Sequence, residues 1–461
     1  MKLYRCKYSL MAVLSLSILC LGCSSMLNSL SQSISELNDQ LAANLSNPPA
    51  PTPAPTPTPA QALSSRPQAF RSAVFKGTPY TVLPAGTDGS IGPKGSYVLF
   101  GDWPQSLKPV SVTVNEAIAA KVGGHTYYQG SDACWYIKIK TKYVSGYYSD
   151  GTRVKSNEVR YFKVEPIKWR VLTSNYNGSG KKLLLAESVL MNMAFNDQEM
   201  DQTELQLVDG TQMYFKLEKR FRQLENGSYI HHNNYEHSRI RAYLNGVPYI
   251  QADDDGGQRI NEEFVSCGFL QTAFTPELQT RIATTTVDNS LNAAGPVKAY
   301  TGFHAKVYTG RLYYEYGENK KRVYFPGFIC NNTQDKVFLL SEKEAIRSDY
   351  GFRKIDPKVN ENNFMEYLKA GVDYKWEDLV TSYVGLPHPM TDFSIGNGVG
   401  HSAGRTTAFW FLRTPICFGY SQKGGIFYGE QETAAVSDLG DISRLGLKST
   451  SNGVVPAICV K

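Results

Sequence analysis

Three segments in the middle of the chain decide the fold: VRYFKV at Val159–Val164, IKWRVLT at Ile167–Thr173 and KLLLA at Lys182–Ala186. Each combines β-branched, aromatic or leucine residues in a short run, which is typical of strands on a partly buried, pleated surface. The sequence therefore predicts strands here and a core position for Trp169. Five further runs have the same character: Ser96–Phe100, Trp135–Tyr143, Arg322–Phe325, Val337–Leu340 and Thr407–Leu412.

Helix signals are fewer and unevenly spaced. Met213–Leu224 carries apolar residues at helical spacing and ends close to a glycine. Thr275-Pro276-Glu277 offers an N-cap, a first-turn proline and an acid that favours the helix dipole. Ser341 and Glu344 have the spacing of a capping box, and Phe364–Ala370 stops at a glycine. Because no βαβ rhythm appears among these elements, the sequence predicts an α+β fold in a single elaborated domain.

The start of the chain has the layout of an export signal. Three basic residues precede the apolar run Leu10–Leu21, which is too short to span a bilayer, and Gly22 and Cys23 follow. This layout resembles a bacterial lipoprotein signal, which implies cleavage after residue 22 and acylation of Cys23. Cys20 stands where such signals usually have leucine. An ordinary signal peptide or an uncleaved anchor are the alternatives.

A linker is expected between this signal and the globular part. Residues 23–69 are rich in Ser, Pro and Thr, and residues 48–60 read PPAPTPAPTPTPA. Proline fixes φ and cannot donate a backbone hydrogen bond, so this tract predicts an extended polyproline II spacer rather than part of a core. We expect the globular head to occupy residues 70–461 and the spacer to hold it away from a membrane.

Composition limits the possible partners. The formal net charge of +6 falls to +3 without the three basic signal residues, and no long basic run occurs, so a nucleic-acid partner is not expected. Tyrosine is abundant, at 29 residues, which suits both strands and surfaces that bind sugars or proteins. After Cys23 come five cysteines whose pairing the sequence leaves open: Cys134, Cys267, Cys330, Cys417 and Cys459.

One motif suggests an enzyme. Residues 400–404 read GHSAG, which matches the GxSxG pattern of serine hydrolases, with Ser402 as the nucleophile. In that fold a strand precedes the serine and a histidine follows it later in the chain, whereas here the preceding segment is glycine-rich and His401 is the last histidine. A glycine loop is the favoured interpretation, and catalysis by Ser402 is the alternative.

Metal binding is not expected at the remaining clusters. Asp253, Asp254 and Asp255 precede two glycines and lack the spacing of a calcium loop, so a solvated acidic turn is favoured. Asp438 and Asp441 form a similar turn. The histidine cluster does not have zinc-binding spacing either; it consists of His231, His232 and His237, with Glu236 adjacent. We expect no cofactor.

Eight segments of residues 93–461 occur in the order and spacing of one family. They are Gly95–Gln105, Glu165–Leu172, Leu183–Glu187, Tyr235–Asn245, Asp335–Ser341, Thr391–Phe393, Phe409–Pro415 and Gly453–Ile458. These segments resemble an uncharacterised extracytoplasmic domain of treponeme and clostridial surface lipoproteins, whose motifs are FGxYPQ, PIxWRVL, SxLRxWLN, DKxFLLS, WWLRSP and GVxPAL. No activity is assigned to that family, so the resemblance implies a location more than a function.

The layout of these motifs also resembles the C-type-lectin-like and formylglycine-enzyme fold. That resemblance implies a binding face formed by two late loops, residues 386–408 and 416–452. A formylglycine-type enzyme would need a reactive cysteine pair, for which Cys417 and Cys459 are the late candidates. Arg413 is expected to make buried hydrogen bonds rather than to perform chemistry, and Trp410 is expected in the core.

The sequence therefore predicts a lipid-anchored protein of the cell envelope. Its head is expected to bind a glycan or an extracellular protein without catalysis, and a purely structural envelope protein is a further alternative. Ser24 does not match the aspartate signal that retains lipoproteins in the inner membrane, so the outer membrane or cell surface is favoured.

Overall fold

The structure is a computed structural model. The residues that it describes are 77–83, 96–142, 146–196, 204–208, 212–216, 222–223, 229–230, 233–252, 258–289, 306–308, 311–316, 321–324, 330–354, 383–384, 387–400, 405–421, 426–438, 440 and 442–461.

Extended backbone dominates these residues: strands make up 43% and helices 13%. The α+β, C-type-lectin-like fold that the sequence predicts is therefore wrong, and the described domain is mostly β. The helices are too short to form a layer of their own, since the longest described α-helix has seven residues. In chain order they are α1 (Arg239–Asn245), α2 (Phe269–Ala273), α3 (Pro276–Gln279), α4 (Glu342–Ala345) and α5 (Asp392–Gly396), with 3₁₀ turns at Tyr176–Gly178 and Ser348–Tyr350.

Sheet 1 has nine strands. In chain order they are β1 (Thr81–Val82), β2 (Tyr97–Leu107), β3 (Val114–Val122), β4 (His125–Gly130), β5 (Trp135–Lys140), β6 (Val159–Thr173), β7 (Lys182–Ala186), β20 (Val337–Phe338) and β29 (Ala457–Val460). The spatial order is β20-β29-β7-β6-β5-β4-β3, and β2 joins β1 to β6.

The long strand β6 organises sheet 1. Its first half pairs with β5, with Phe162 opposite Ile137, and its second half pairs with β7, with Arg170 opposite Leu185. Strand β2 pairs with both halves of β6 from the opposite edge, and all of these pairings are antiparallel. The segments Val159–Val164 and Ile167–Thr173, predicted as two strands, are thus one continuous strand.

Sheet 2 has seven strands. They are β8 (Met191–Asn192), β9 (Glu204–Val208), β10 (Gln212–Lys216), β25 (Trp410–Ser421), β26 (Ile426–Val436), β27 (Ile442–Gly446) and β28 (Gly453–Val454). The order is β10-β9-β26-β25-β28-β8, and β27 pairs with β26. Strands β25 and β28 are parallel.

Strand β10 replaces part of the helix predicted over Met213–Leu224. Its register with β9 sets Met213 opposite Leu207 and Phe215 opposite Leu205. The sequence here has apolar residues two apart as well as at helical spacing. Pairing of β10 with the neighbouring β9, which pairs in turn with the distant β26, decides between the two patterns, and local spacing alone cannot do so.

Short ladders complete the described strands. They are β11 (Arg222–Gln223) with β12 (Tyr229–Ile230), β13 (Tyr249–Ala252) with β14 (Gln258–Asn261), β15 (Thr285–Val287) with β19 (Thr333–Asp335), β16 (Lys306–Tyr308) with β17 (Arg311–Tyr316) and β18 (Lys321–Tyr324), β21 (Arg353–Lys354) with β22 (Tyr383–Val384), and β23 (His388–Pro389) with β24 (Thr407–Ala408).

Both predicted helix starts are confirmed. The Thr275 side chain accepts a hydrogen bond from the Leu278 N–H at the start of α3. At α4 the Ser341 and Glu344 side chains form the complete capping box. The predicted helix Phe364–Ala370 lies outside the described residues.

One hydrophobic cluster draws on both sheets. Trp169 of sheet 1 and Trp410 of sheet 2 are fully buried, which confirms both as core residues. Helix α2 packs Phe269 against Trp103, with ring centroids 5.0 Å apart. Among the described residues no helix is long and apolar enough to cross a membrane.

Candidate functional site

Several residues singled out from the sequence lie outside the described residues. They are Cys23, His231, His232, Asp253, Asp254, Asp255, His401, Ser402 and Asp441. The interpretations given to them stay predictions.

The two late segments expected to be binding loops are largely regular structure where they are described. In residues 387–400, helix α5 is buried, and Asp392 accepts hydrogen bonds from the Leu107 N–H (3.0 Å) and from the Ser149 N–H and hydroxyl (2.7 Å each). These bonds fasten the segment to β2 and to the loop after β5. Residues 416–452 are mainly the strands β25–β27. The expectation of two late loops is therefore wrong for the described residues, because core packing occupies this part of the chain.

Arg413 has the structural role that the sequence predicts. Its guanidinium donates to the Leu339 carbonyl (2.7 Å) and to the Glu344 carboxylate (2.5 Å). The Tyr176 hydroxyl donates to the same carboxylate (2.6 Å). We call Tyr176, Glu344 and Arg413 the buried triad. Burial alone would raise the pKa of Glu344, but the charge of Arg413 and the hydrogen bonds outweigh burial and lower it.

Asp438 is not part of a solvated turn. It is buried, and its Oδ2 lies 3.1 Å from Nε of Arg405. The backbone carbonyl of Asp438 accepts a 2.6 Å hydrogen bond from the Thr407 hydroxyl. Its carboxylate therefore belongs to an ion pair, and the predicted solvated acidic turn is wrong at this residue.

His237 lies in a polar cluster near α1. Its Nε2 is 3.6 Å from Oε2 of Glu236, and the Glu236 N–H lies 3.4 Å from Sγ of Cys330. Burial raises the pKa of the Cys330 thiol to about 12, which leaves it protonated and a poor nucleophile at neutral pH. No group of three or more potential metal ligands converges within the described ranges.

Four cysteines are free thiols in the structure: Cys134, Cys267, Cys330 and Cys459. Cys459, one of the two late candidates for a reactive pair, is buried, and burial raises its pKa to about 11. Only the backbone of Cys417 is described, as part of β25.

A different region carries converging polar and aromatic side chains: the solvent-facing side of β3–β6. Strand alternation explains it, because Ile137 and Phe162 form a buried cross-strand pair while their neighbours Lys138 and Tyr161 form a cross-strand pair on the opposite side. We call this side the outer face and define it by seven residues: Glu116, Tyr128, Asp132, Tyr136, Lys138, Tyr161 and Lys163.

The first outer triad is Glu116, Lys138 and Tyr161. The Lys138 ammonium donates to both oxygens of Glu116 (2.8 Å each), and the Tyr161 hydroxyl donates to one of them. The pKa of Glu116 is lowered by the hydrogen bonds from Lys138 and Tyr161. The Tyr128 ring lies edge-on to the Tyr161 ring, with centroids 6.4 Å apart.

The second outer triad is Asp132, Tyr136 and Lys163, one step along the same strand pair. Tyr136 lies opposite Lys163, its hydroxyl donates to Asp132 Oδ2 (2.8 Å), and Lys163 Nζ lies 3.4 Å from the same oxygen. Burial would raise the pKa of Asp132, but the hydrogen bonds and the Lys163 charge lower it to about 2. Gly130 makes room for the Tyr136 ring, since a Cβ at residue 130 would lie 2.5 Å from it.

The chemistry of the outer face suits binding rather than acid–base catalysis. Both carboxylates are ionised at neutral pH because their pKa values are lowered. Glycoside hydrolysis requires a carboxylic acid whose pKa is raised, so these two carboxylates do not fit that role. Tyr128 and Tyr161 are partly exposed beside charged donors and acceptors, so they offer an apolar ring surface edged with hydrogen-bonding groups, whereas Tyr136 is fully buried and anchors Asp132 from below.

Sequence reasoning missed this face although both strands were predicted. The signal was the alternation within each strand: Tyr136 and Lys138 are two residues apart, as are Tyr161 and Lys163. The register that pairs them, and the position of Glu116 at an irregularity in β3, depend on strand pairing that no local pattern encodes.

Comparison with protein-family models, with the curated proteins and with the solved structures gave no match to this chain.

Proposed function

We propose that this chain is a lipid-anchored protein of the cell envelope that binds a saccharide through the outer face. Acylation at Cys23 supplies the anchor, residues 23–69 supply the spacer, and the head is displayed at the outer membrane or cell surface. The order of motifs shared with surface lipoproteins supports this location.

The observation that carries the binding proposal is the first outer triad on a partly exposed sheet surface, with the ion pair of Asp132 and Lys163 in register beside it. A sugar ring packs its C–H groups against an aromatic ring and directs its hydroxyls sideways. The Tyr128 and Tyr161 rings offer that apolar surface, and Lys138 and Glu116 offer a charged donor and acceptor beside it. Hydrogen bonds to charged groups are stronger than those between neutral groups.

Charge favours a neutral saccharide over a polyanion at this face. The two carboxylates of the outer triads balance the two ammonium groups. The same pairing keeps the triad side chains ordered before a ligand arrives, because Tyr136 and Tyr161 are hydrogen-bonded, and Lys138 and Lys163 ion-paired, to a carboxylate.

The binding test is an oligosaccharide array followed by titration of the best neutral oligosaccharide into the full chain. Replacing Tyr161 by Ala is expected to weaken binding about tenfold, since stacking and a positioned hydroxyl are lost together. The matched control is Tyr147→Ala, because Tyr147 is 61% exposed and lies off the outer face. Equal affinity of Tyr161→Ala and the control would contradict the proposal.

A protein ligand is the second candidate, favoured by the exposed edge of sheet 1. Strand β3 pairs only with β4 among the described strands, and Ile118 on it is 45% exposed. An extended peptide could add a strand at such an edge. The Ile118→Lys variant places a charge on this edge, so it is expected to weaken peptide binding of this kind and to leave saccharide affinity unchanged.

The anchor has its own test. Radiolabelled palmitate is expected to enter the full chain and to be lost in the Cys23→Ser variant. Label that stays in the variant, or a wild-type chain that takes up none, contradicts acylation at Cys23. Labelling by a fluorophosphonate, absent after Ser402→Ala, would instead support the hydrolase alternative.

A further inference from the structure

A second exposed region is rich in positive charge. It lies where the first residues of β7 meet the last residue of β29 and the segments before β15 and β20. We call it the basic rim and define it by five residues: Lys181, Lys182, Arg281, Lys336 and Lys461.

Strand pairing brings these residues together from four parts of the chain. Lys182 pairs with Val460, and Ile282 forms a bridge to the same Val460. The backbone N–H of Lys461 points to the Arg281 carbonyl at 3.4 Å. Val337 pairs with Ile458, so Lys336 joins the same end of sheet 1.

An aromatic ring lies among the cations. The Nζ of Lys182 is 5.9 Å from the centroid of the Tyr80 ring, and the guanidinium carbon of Arg281 is 5.8 Å from it. Both distances are within the range of cation–π attraction. Tyrosine beside basic residues is also the composition found where proteins meet the headgroup region of membranes.

The positive charge of the basic rim is not neutralised within the described part of the chain. None of its five side chains forms an ion pair with a carboxylate there; Lys181 and Lys336 donate instead to the backbone carbonyls of Thr284 and Gln279, at 2.9 Å each. Burial and the nearby Lys461 lower the pKa of Lys336, as expected for like charges held close together.

Two acids lie close to rim residues in the sequence: Glu277, four residues before Arg281, and Asp335, directly before Lys336. Glu277 of α3 is exposed and favours the dipole of that helix. Asp335 is buried and is held by Arg241, whose Nη2 lies 2.8 Å from its carboxylate. Lys182, Arg281 and Lys461 are all exposed.

The chain enters the described domain beside the basic rim. Thr78 is fixed by two hydrogen bonds from its N–H and hydroxyl to Asp102, at 2.8 and 2.6 Å. Tyr80, which contacts two rim cations, follows two residues later. The start of the described domain is therefore fixed beside the basic rim.

We propose that the basic rim docks the head onto anionic phospholipid headgroups of the membrane to which the chain is tethered. The attraction is electrostatic, and each basic residue near an anionic bilayer is expected to strengthen binding about fivefold. The proposal uses the envelope location proposed above, and it concerns a surface separate from the outer face.

The test uses the full chain with Cys23→Ser, so that no acyl chain contributes, and two kinds of vesicle. One is phosphatidylcholine alone and the other contains one third phosphatidylglycerol. Cosedimentation is expected to be stronger with the anionic vesicles, and that excess is expected to disappear at high salt. In the K182Q/R281Q variant the excess is expected to fall by about tenfold or more.

The matched control is K121Q/K155Q, which removes the same charge from two exposed lysines elsewhere on the domain. Near-UV circular dichroism verifies that both double variants keep the fold. Equal weakening in the two double variants would mean that net charge alone drives binding, and it would overturn the proposal.

Two further outcomes would also overturn it. One is equal binding to both vesicle types. The other is binding to soluble dextran sulfate without any excess on the anionic vesicles, which would assign the rim to a polysaccharide. Both readouts are independent of the saccharide titration, so failure of this docking is distinguishable from failure of the outer face.

Discussion

A glutamate bound to a basic residue and a tyrosine occurs in two opposite surroundings in the described part of this molecule. On the outer face, Glu116 binds Lys138 and Tyr161; in the interior, Glu344 binds Arg413 and Tyr176. The first carboxylate is exposed and the second is nearly inaccessible, with side-chain exposures of 46% and 10%.

The difference shows that burial, more than chemistry, separates a surface that binds from a cluster that holds the fold together. Exposed ion pairs contribute little to stability because water competes for both charges. In the interior the removal of one partner leaves an uncompensated charge, which is strongly destabilising. Substitution or ligand binding at the exposed triad therefore has little effect on stability, whereas a change in the buried triad is expected to destabilise the fold.

The largest expected effect is that of Arg413→Met. Glu344 would remain buried without its cation, and the free energy of unfolding is expected to fall by about 3–5 kcal/mol. Denaturant unfolding of the two variants Arg413→Met and Lys138→Met makes the comparison direct. If the free energy of unfolding falls as little in Arg413→Met as in Lys138→Met, the two triads do not differ in their contribution to stability.

The double variant Glu344→Leu with Arg413→Met sharpens the same comparison. Because both charges are removed together, we expect it to be more stable than Arg413→Met alone. Unfolding free energies of the two single variants and the double variant, measured as a cycle, check this. If the double variant is the least stable of the three, the buried charges are not what destabilises the single variant.

The next largest effect is expected for Tyr176→Phe. The variant loses one hydrogen bond to a charged group, which typically contributes about 1.5–3 kcal/mol, and keeps the ring in the core. Tyr161→Phe is the matched exposed change and is expected to alter stability by less than about 1 kcal/mol. Thermal or denaturant unfolding distinguishes the two.

Acid is expected to act on the buried triad. The pKa of Glu344 in the folded protein is below its ordinary value near 4.5, so the folded state binds this proton less readily than the unfolded chain. The stability from this group is therefore present above that ordinary value and is lost as pH falls through the folded value. Melting temperatures between pH 7 and 3 are expected to depend less on pH in Glu344→Gln; an unchanged slope would contradict this.

The smallest effect on stability is expected for Lys138→Met, because the pair is exposed and water screens both charges. The measurable effect of Lys138→Met is on the pKa of Glu116. This pKa is expected to rise, since the hydrogen bond from Lys138 is the main cause of its lowered value. A carboxyl-resolved NMR titration measures this, and Lys140→Met on the same strand is the control. An unchanged pKa would mean that the pair is not formed in solution.

Prediction from the sequence was correct for features that depend mainly on neighbouring residues. The capping box at Ser341 and the N-cap at Thr275 require only neighbouring residues, and both are confirmed. Lys182–Ala186 is a strand as predicted because its apolar run is short and bounded. Trp169 and Trp410 are in the core because nothing but burial accommodates such large apolar rings among strand residues.

Prediction from the sequence failed for features that depend on contacts between segments far apart in the chain. Strand β10 takes up the start of Met213–Leu224 because it pairs with β9, which is itself held by β26, far away in the sequence. Helix α5 is buried because Asp392 reaches β2, far away in the sequence. The outer face could not be predicted because it depends on the register of β5 on β6. The fold class could not be predicted because it depends on how many apolar runs pair as strands. Pairing between distant strands is not encoded in any single window of sequence.

The position of β29 in sheet 1 has a consequence for how the protein folds. This strand lies inside sheet 1, between β7 and β20, with Ala457 opposite Leu185 on one side and Phe338 on the other. Strands β7 and β20 are joined only through β29, and neither of them is close to it in the sequence. Closure of sheet 1 therefore depends on contacts between distant segments, and such non-local pairing is expected to make folding slow.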